Sequence, residues 1–158
     1  MMADTIRLTN LRFVQTLLRG LDLTGPGDLT SPTNFTLVSL GPIGGFENRM
    51  RYTAGIVPGD EVKKTLYPIT DCTLPVTVEF RMTWNTGDAT DHEAESERVL
   101  GLIEKVLVQD RTLGGNAIDF YTVGNAITMD LFTEKDIIGA IHFEMRYRHN
   151  TLDPTLIV

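Results

Sequence analysis

Cysteine is nearly absent from this sequence of 158 residues, which contains Cys72 alone. One thiol excludes an internal disulfide and a cysteine-based zinc site, and it fits a reducing compartment or a protein indifferent to redox. A single cysteine is a candidate nucleophile, but beside a predicted hairpin turn we interpret Cys72 as a packed thiol or a neutral surface thiol.

Long hydrophobic runs are also absent. The longest apolar stretches, such as Ile137–Ile141, are far shorter than the roughly 20 residues that a membrane helix needs. The first eight residues carry Asp4 and Arg7 and lack a continuous apolar core, unlike a signal peptide. We therefore expect a protein that is made in the cytoplasm and has no membrane partner.

Positive charge is in deficit, with 14 Lys and Arg against 21 Asp and Glu, for a formal net charge of −7. This balance argues against a surface that wraps nucleic acid by neutralising phosphates, although it leaves room for a small basic strip. The hydrophobic fraction of 42% and the charged fraction of 22% are typical of a globular chain and exclude the disordered class. The length predicts one domain over residues 1–158.

The motifs of several enzyme classes are missing. His92 and Glu93 begin like the zinc-protease motif His-Glu-x-x-His, but Ser96 stands where the second histidine is needed. The segment Gly41–Gly45 lacks the Lys-Ser/Thr of a phosphate-binding loop, and there is no Gly-x-Ser-x-Gly elbow. We predict no catalytic residue, no metal ligand and no cofactor.

One enzyme alternative stays open, a small metal-binding α+β enzyme of unknown reaction. It is motivated by three scattered histidines and by side chains at a predicted helix start that could chelate a cation. The helix-start residues are Asp91, His92, Glu93 and Glu95, and the histidines are His92, His142 and His149.

Two amphipathic helices are predicted. The first covers residues 4–21, with Asp4 or Thr5 as its cap, and the second follows a capping box from Thr90 to Glu93. The apolar stripes are Leu11, Val14, Leu17, Leu18 and Leu21 in the first helix, and Val99, Leu102, Ile103, Val106 and Leu107 in the second.

Strict alternation from Thr73 to Trp84 predicts a strand with one buried face, in which Pro75 should lie near the start or on an edge. The preceding segment, 60–69, is expected to pair with this strand as a hairpin through a turn at 68–71. A β-like run covers 35–40, whereas 24–34 and 41–59 are predicted to be long loops and 150–158 a tail.

Two strands are predicted to close the domain. The first, 116–132, is interrupted by Gly124-Asn125, which suggests a bulge or tight turn. The second, 137–149, separates an apolar face from a polar one that carries His142, Glu144, Arg146 and Arg148. This polar face is either a contact for a charged partner or the ordinary wet side of a sheet. The element order predicts an α+β fold, a mostly antiparallel sheet with two helices packed on it.

The C-terminal half resembles a known family. The run from Asp110 to Gly115, Asp-Arg-Thr-Leu-Gly-Gly, leaves a helix and enters a β pair, and it is similar to a turn of bacteriophage tail terminator proteins. The closing strand Gly139–Arg148 resembles the family's final strand, which typically ends in an aromatic-Arg pair. The resemblance covers roughly residues 73–150.

The resemblance implies a structural virion protein of the tail or neck that forms a ring, usually a homohexamer, at the head-proximal end of the tail tube. Such a ring stops tube polymerisation and docks to the head connector, so its partners are copies of itself, the tube protein and a connector or neck protein. The candidate subunit or tube contacts are Arg111, Leu113, Gly114, Gly115, Arg146, Arg148, Phe46, Arg49 and Arg51. A neck or other tail-completion protein is the alternative, and both contractile and non-contractile tails are compatible.

Overall fold

The computed structural model describes residues 4–24, 34–42, 52–83, 92–129 and 136–158. The elements in chain order are α1 (Ile6–Arg19), β1 (Leu37–Leu40), β2 (Tyr52–Pro58), β3 (Val62–Leu66), β4 (Ile69–Thr83), α2 (His92–Val108), β5 (Asp119–Met129) and β6 (Asp136–Asn150). Two helices with a six-stranded, mostly antiparallel sheet confirm the predicted single α+β domain.

The longest pairing in the sheet joins β4 to β6. The two strands run antiparallel over 15 residues, from the pair Ile69–Asn150 to the pair Thr83–Asp136. On its other edge β4 pairs first with β3 and then with β2, and β6 pairs with β5. The strand order is β1-β2-β4-β6-β5, with β3 beside β4. The register shifts between Thr122 and Gly124, which confirms the bulge predicted at Gly124.

Pro75 lies in the middle of β4, so the prediction that it sits near a strand start or on an edge was wrong. β4 extends further upstream than predicted, to Ile69, and the hairpin turn is Tyr67-Pro68 rather than 68–71. Pro75 is tolerated because it faces the gap where β3 ends its pairing at Thr73 and β2 begins at Val76. There the Pro75 carbonyl accepts a hydrogen bond from the Gly59 amide at 2.8 Å, and no ladder donor is needed on that side.

The segment 41–59 is not loop throughout, which corrects a second prediction. Its last part forms β2, whose residues Tyr52 to Ile56 are all buried. A strand buried on both faces shows no polar-apolar alternation, so the pattern that revealed β4 is missing here. β2 also pairs in parallel with β1, with Leu37 opposite Thr53, which is the one parallel pairing among the described strands.

The core lies between one face of the sheet and the two helices. The predicted alternation is confirmed, because the inward side chains of β4 and β6 are at most 2% exposed: Cys72, Leu74, Val76, Val78, Phe80, Met82, Ile141, Phe143, Met145 and Tyr147. The rings of Phe120 and Phe143 stack with centroids 4.8 Å apart. Burial of this apolar face is the main stabilising contribution to the fold.

Both helices present the predicted stripes to this core. In α1, Leu11, Val14 and Leu18 are buried, and Thr5 caps the helix by accepting a hydrogen bond from the Leu8 amide at 3.2 Å. In α2 the apolar side chains of Val99, Ile103 and Leu107 are fully buried, with Leu102 and Val106 half-buried against them. The predicted capping box at Thr90, the strand residue Trp84 and most of the loop 24–34 lie outside the described residues.

The two ends of the sheet differ in what is attached to them. At one end, which we call the loop end, β2 begins, β4 and β5 finish and β6 begins, so segments 43–51, 84–91 and 130–135 join the described chain there. The opposite end, the turn end, carries the β3–β4 turn, the start of β5 and the end of β6. The tail also docks at the turn end, where the Thr151 amide donates to the Pro68 carbonyl at 2.8 Å.

Gly139 is required by the core packing, which gives a first prediction. An added Cβ would lie 2.1 Å from Cε1 of Phe80, on the neighbouring strand. We expect Gly139→Ala to lower the free energy of unfolding by about 1–3 kcal/mol, the usual cost of overpacking. Gly101→Ala on α2 is the matched control, because its Cβ meets nothing within 4 Å and Ala favours a helix by about 1 kcal/mol. Urea unfolding that ranked the two variants equally would contradict this account.

Candidate functional site

The two histidines whose side chains the structure describes do not lie together. His142 and His149 lie on opposite faces of β6, where His142 is exposed and contacts Thr77 through Nδ1 at 3.0 Å, while His149 is buried. The side chain of His92 is outside the described residues. Over the described ranges, no group of three His, Cys, Asp or Glu side chains is placed to hold a metal ion. No described helix is long and apolar enough to cross a membrane.

Glu95, the one residue of the acidic helix start whose side chain the structure describes, has a structural role. Glu95 accepts a hydrogen bond from Nε of Arg98 at 2.8 Å and one from the Tyr52 hydroxyl at 3.3 Å. Arg98 also donates to the Leu23 carbonyl at 2.7 Å. Glu95 and Arg98 therefore tie α2 to β2 and to the segment after α1.

Cys72 is a buried structural thiol. It lies beside Tyr147, whose hydroxyl donates to Glu61, and Glu61 is paired with Lys63 at 3.1 Å. Burial, and then the Glu61 carboxylate, raise the pKa of the Cys72 thiol, so the thiolate needed for nucleophilic chemistry is disfavoured. The cluster joins the β2–β3 connection to β6.

The turn after α2, residues 110–115, is organised by Asp110. Its carboxylate accepts hydrogen bonds from the Thr112 hydroxyl at 2.7 Å, the Thr112 amide at 3.0 Å and the Gly114 amide at 2.8 Å. The hydrogen bond from the Thr112 side chain, then those from the Gly114 and Thr112 amides, lower the pKa of Asp110 below its ordinary 3.8. The acid of the recognised motif is thus a turn-forming residue.

Three consecutive residues of this turn have positive φ angles: Leu113 at 48°, Gly114 at 73° and Gly115 at 87°. A side chain in this region is strained, so the turn needs its two glycines, and Leu113 is held there by its neighbours. The Leu113 side chain is completely buried in the core. It anchors the turn from inside the subunit.

The same turn is fastened to α1. The Gly114 Cα approaches Phe13 so closely that a Cβ would lie 2.9 Å from Cε2 of the ring. The Asn10 side chain, which is fully buried, donates to the Asn116 carbonyl at 3.1 Å. Helix α1 is therefore packed against the turn and hydrogen-bonded to the segment that leads into β5.

Arg111 points away from the core and pairs with β5. Its guanidinium donates to both carboxylate oxygens of Asp119, at 2.7 and 2.6 Å, which lowers the pKa of Asp119 and raises that of Arg111. The Arg111 side chain is still 57% exposed. It can therefore meet a partner while it remains oriented by Asp119.

The outer face of the sheet carries Arg146 and Arg148, as the alternation predicts. Arg148 pairs with Asp71 on β4, whereas the side chain of Arg146, near Asp119, makes no hydrogen bond or ion pair with any described residue. Further along the same face, the Tyr121 hydroxyl donates to Glu144. This face thus combines internal pairs with at least one exposed arginine.

The structure reveals exposed residues that the sequence did not single out. All five residues of β3 are exposed, and Leu66 and Tyr67 beside the hairpin turn are 64% and 73% exposed. The tail adds Leu152 and Leu156, held against the hairpin and the end of β6. The prediction that 60–69 pairs with β4 as a hairpin is confirmed. A strand exposed on both faces has no apolar period, so the sequence did not indicate which of its side chains are exposed. The remaining candidates, Phe46, Arg49 and Arg51, lie outside the described residues.

The glycines of the turn give a second prediction. Ala at position 114 meets both the positive φ and the Phe13 ring, whereas Ala at 115 meets the positive φ alone, with no atom within 4 Å. We expect Gly115→Ala to cost about 1–2 kcal/mol and Gly114→Ala to cost more. Gly115→Asn is the matched control, since Asn tolerates this conformation. Thermal unfolding in which position 115 were the more sensitive one would contradict the described packing.

The turn also gives a pH prediction. Because the pKa values of Asp110 and Asp119 are lowered in the folded state, their stabilisation is present above the ordinary value of 3.8 and is lost as pH falls through the folded values. In Asp110→Asn the side-chain oxygen can still accept the hydrogen bonds from Thr112. The NH₂ group that replaces the second oxygen cannot accept the hydrogen bond from the Gly114 amide. We expect Asp110→Asn to melt at a lower temperature than the wild-type protein at pH 7. The two melting temperatures should converge as pH falls below 3.8. A gap that stays constant with pH would contradict the role of the Asp110 carboxylate.

Comparison with solved structures identifies a protein of similar fold. No protein-family model matches this chain, and no curated protein gives a significant match. Among solved structures, the chain is similar to one from the virion of a native gene transfer agent particle, with a TM-score of 0.58 and 10% identity. The match covers 87% of this chain and 93% of the other. This chain therefore shares its overall fold with a component of that virion.

Proposed function

We propose that this protein is a structural virion subunit that caps the head-proximal end of a phage-type tail tube, stops its polymerisation and offers a docking surface to the head connector. The observation that carries the proposal is the fold shared with the gene transfer agent virion chain over 93% of that chain. The Asp-Arg-Thr-Leu-Gly-Gly turn, which packs against α1 and pairs with β5 through Arg111, supports the tail terminator family within that class.

The two ends of the sheet fit a subunit placed between two partners. The turn end carries the tail, the hairpin and the 110–115 turn, whereas segments 43–51, 84–91 and 130–135 join the sheet at the loop end. A ring of such subunits would present one set of features to the tube and the other to the connector. Of the candidate contacts, Arg111 lies near the turn end, whereas Phe46, Arg49 and Arg51 lie outside the described residues.

The neck or tail-completion alternative shares the fold argument and differs in its partner. A terminator binds the end of the tube, whereas a neck protein binds the connector and leaves tube length unchanged. Arg111 is the described candidate residue best suited to a probe, because it is exposed and its loss breaks a local pair outside the core.

The proposal is tested by adding the purified protein to tail tubes of the same phage and measuring tube length and end density by electron microscopy. We expect tubes of limited length with density at one end. Arg111→Ala should weaken capping, and Lys105→Ala, which removes an exposed charge on α2, is the matched control. Tubes that keep growing without terminal density, while the protein binds purified connectors, would favour the neck alternative and contradict the terminator role.

A further inference from the structure

The segment after β6 folds back on itself at the turn end of the sheet. The Asn150 amide donates to the Leu156 carbonyl at 2.9 Å, and the Leu156 amide donates to the Asp153 carbonyl at 3.1 Å. The Asn150 side-chain oxygen also accepts hydrogen bonds from the Leu152 and Asp153 amides, at 2.9 and 3.3 Å. We call residues 150–156 the strap, because hydrogen bonds of its own give it a defined shape.

Asp153 sets the second bend of the strap. Its Oδ1 accepts hydrogen bonds from the Thr155 hydroxyl at 2.6 Å and from the Thr155 amide at 3.0 Å. Asp110 and Thr112 make the same pair of bonds in the turn after α2. A carboxylate that bonds to the backbone two residues further on stabilises a turn. Pro154 lies between the two bonded residues, so its position depends on this bend.

The strap bonds to two different elements. On one side, the Pro154 carbonyl accepts a hydrogen bond at 3.0 Å from the amide of Ile6, the first residue of α1. On the other side, the Thr151 amide donates to the Pro68 carbonyl in the hairpin turn at 2.8 Å, and the Thr151 and Thr70 hydroxyls are 3.0 Å apart. The strap therefore bridges the start of α1 and the β3–β4 hairpin.

Both bridged elements depend on contacts from outside themselves. All five residues of β3 are exposed, and β3 pairs with β4 alone among the described strands. A strand with so little buried surface adds little stability of its own. The first turn of α1 depends on its caps, since the Leu8 amide is bonded to the Thr5 side chain and the Ile6 amide to the strap. Hydrogen bonds from the strap therefore contribute to the local stability of both elements.

We propose that the strap is a conformational device that makes the start of α1 and the β3–β4 hairpin open and close together. When the strap is closed, its hydrogen bonds order both elements. When the bend at Asp153 is lost, both elements open, while the centre of the β4–β6 pairing stays intact. Local unfolding of this kind is shared by one cooperative unit. The inference goes beyond the proposed function and does not depend on it, because it concerns motion within one chain.

Native-state hydrogen exchange of Asp153→Ala tests the coupling. Within the described chain, the Asp153 carboxylate bonds inside the strap and to neither bridged element. We nevertheless expect the amides of Ile6 and Thr151, which donate across the two contacts, to exchange about tenfold faster than in the wild-type protein. The Thr9 amide, which is bonded within α1 and not to the strap, should be accelerated with them.

Asp22→Ala is the matched control. Asp22 accepts hydrogen bonds from the Thr24 amide and hydroxyl, at 2.9 and 2.5 Å, in the same kind of bend, and its loss changes the net charge equally. Because Asp22 lies outside the strap, this variant should leave exchange at both strap contacts unchanged. In both variants, the amides of Val78 and Ile141, paired in the middle of β4 and β6, should exchange at the wild-type rate.

A second variant perturbs the strap from the hairpin without a change in charge. Thr70→Val removes the hydroxyl that meets Thr151, and we expect faster exchange at Ile6, on the opposite side of the strap. Thr77→Val is the matched control, because the Thr77 hydroxyl makes a contact of the same length with His142 on the outer face of the same sheet. This control should leave exchange at Ile6 unchanged.

Three results would overturn the proposal. Faster exchange confined to the strap and its Thr151 amide, with Ile6 and Thr9 unchanged, would show that the strap frays alone. Equal acceleration at Val78 and Ile141 would show a global loss of stability in place of local opening. Control variants that accelerate exchange at Ile6 as much as the strap variants do would show that the coupling does not run through the strap.

Discussion

The antiparallel pairing of β4 with β6 is the constraint on which the rest of this structure depends. It runs for 15 residues and leaves the other edge of β4 to be shared by β3 and β2, which meet at Pro75. Because side chains alternate across a strand, this one register decides which residues enter the core and which face outward. It also explains why a glycine is needed at position 139, opposite Phe80.

The turn after α2 connects both helices to the sheet near its turn end. Asp110 folds the turn on itself, Leu113 inserts into the core, and the Gly114 backbone lies against Phe13 of α1. Arg111 then fixes the start of β5 through Asp119. A short motif thereby sets the relative positions of two helices and one strand, which gives a physical reason for a sequence in which an acid and two glycines stand close together.

Strand pairing places charged side chains from several strands beside one another on the outer face of the sheet. Lys64, Asp71 and Arg148 become neighbours from β3, β4 and β6, with exposed apolar residues of β3 beside them. The shared fold with a gene transfer agent virion chain is consistent with a protein that acts through contacts with its neighbours.

The sequence alone was sufficient wherever a segment has one buried face. The stripes of α1 and α2, the alternation of β4 and β6 and the interruption of β5 near Gly124 could be read from local patterns. β2 was missed, because a strand buried on both faces has no period. The hairpin of β3 with β4 was predicted, but the exposure of all five β3 residues was not, because a strand exposed on both faces has no period either. Arg146 and Arg148 were predicted to share an outer face, but Lys64 is more than 80 positions away in the chain and joins them through strand pairing. The set of charges on this outer face was therefore decided by tertiary structure, because long-range register, which no local pattern encodes, determines which charges become neighbours.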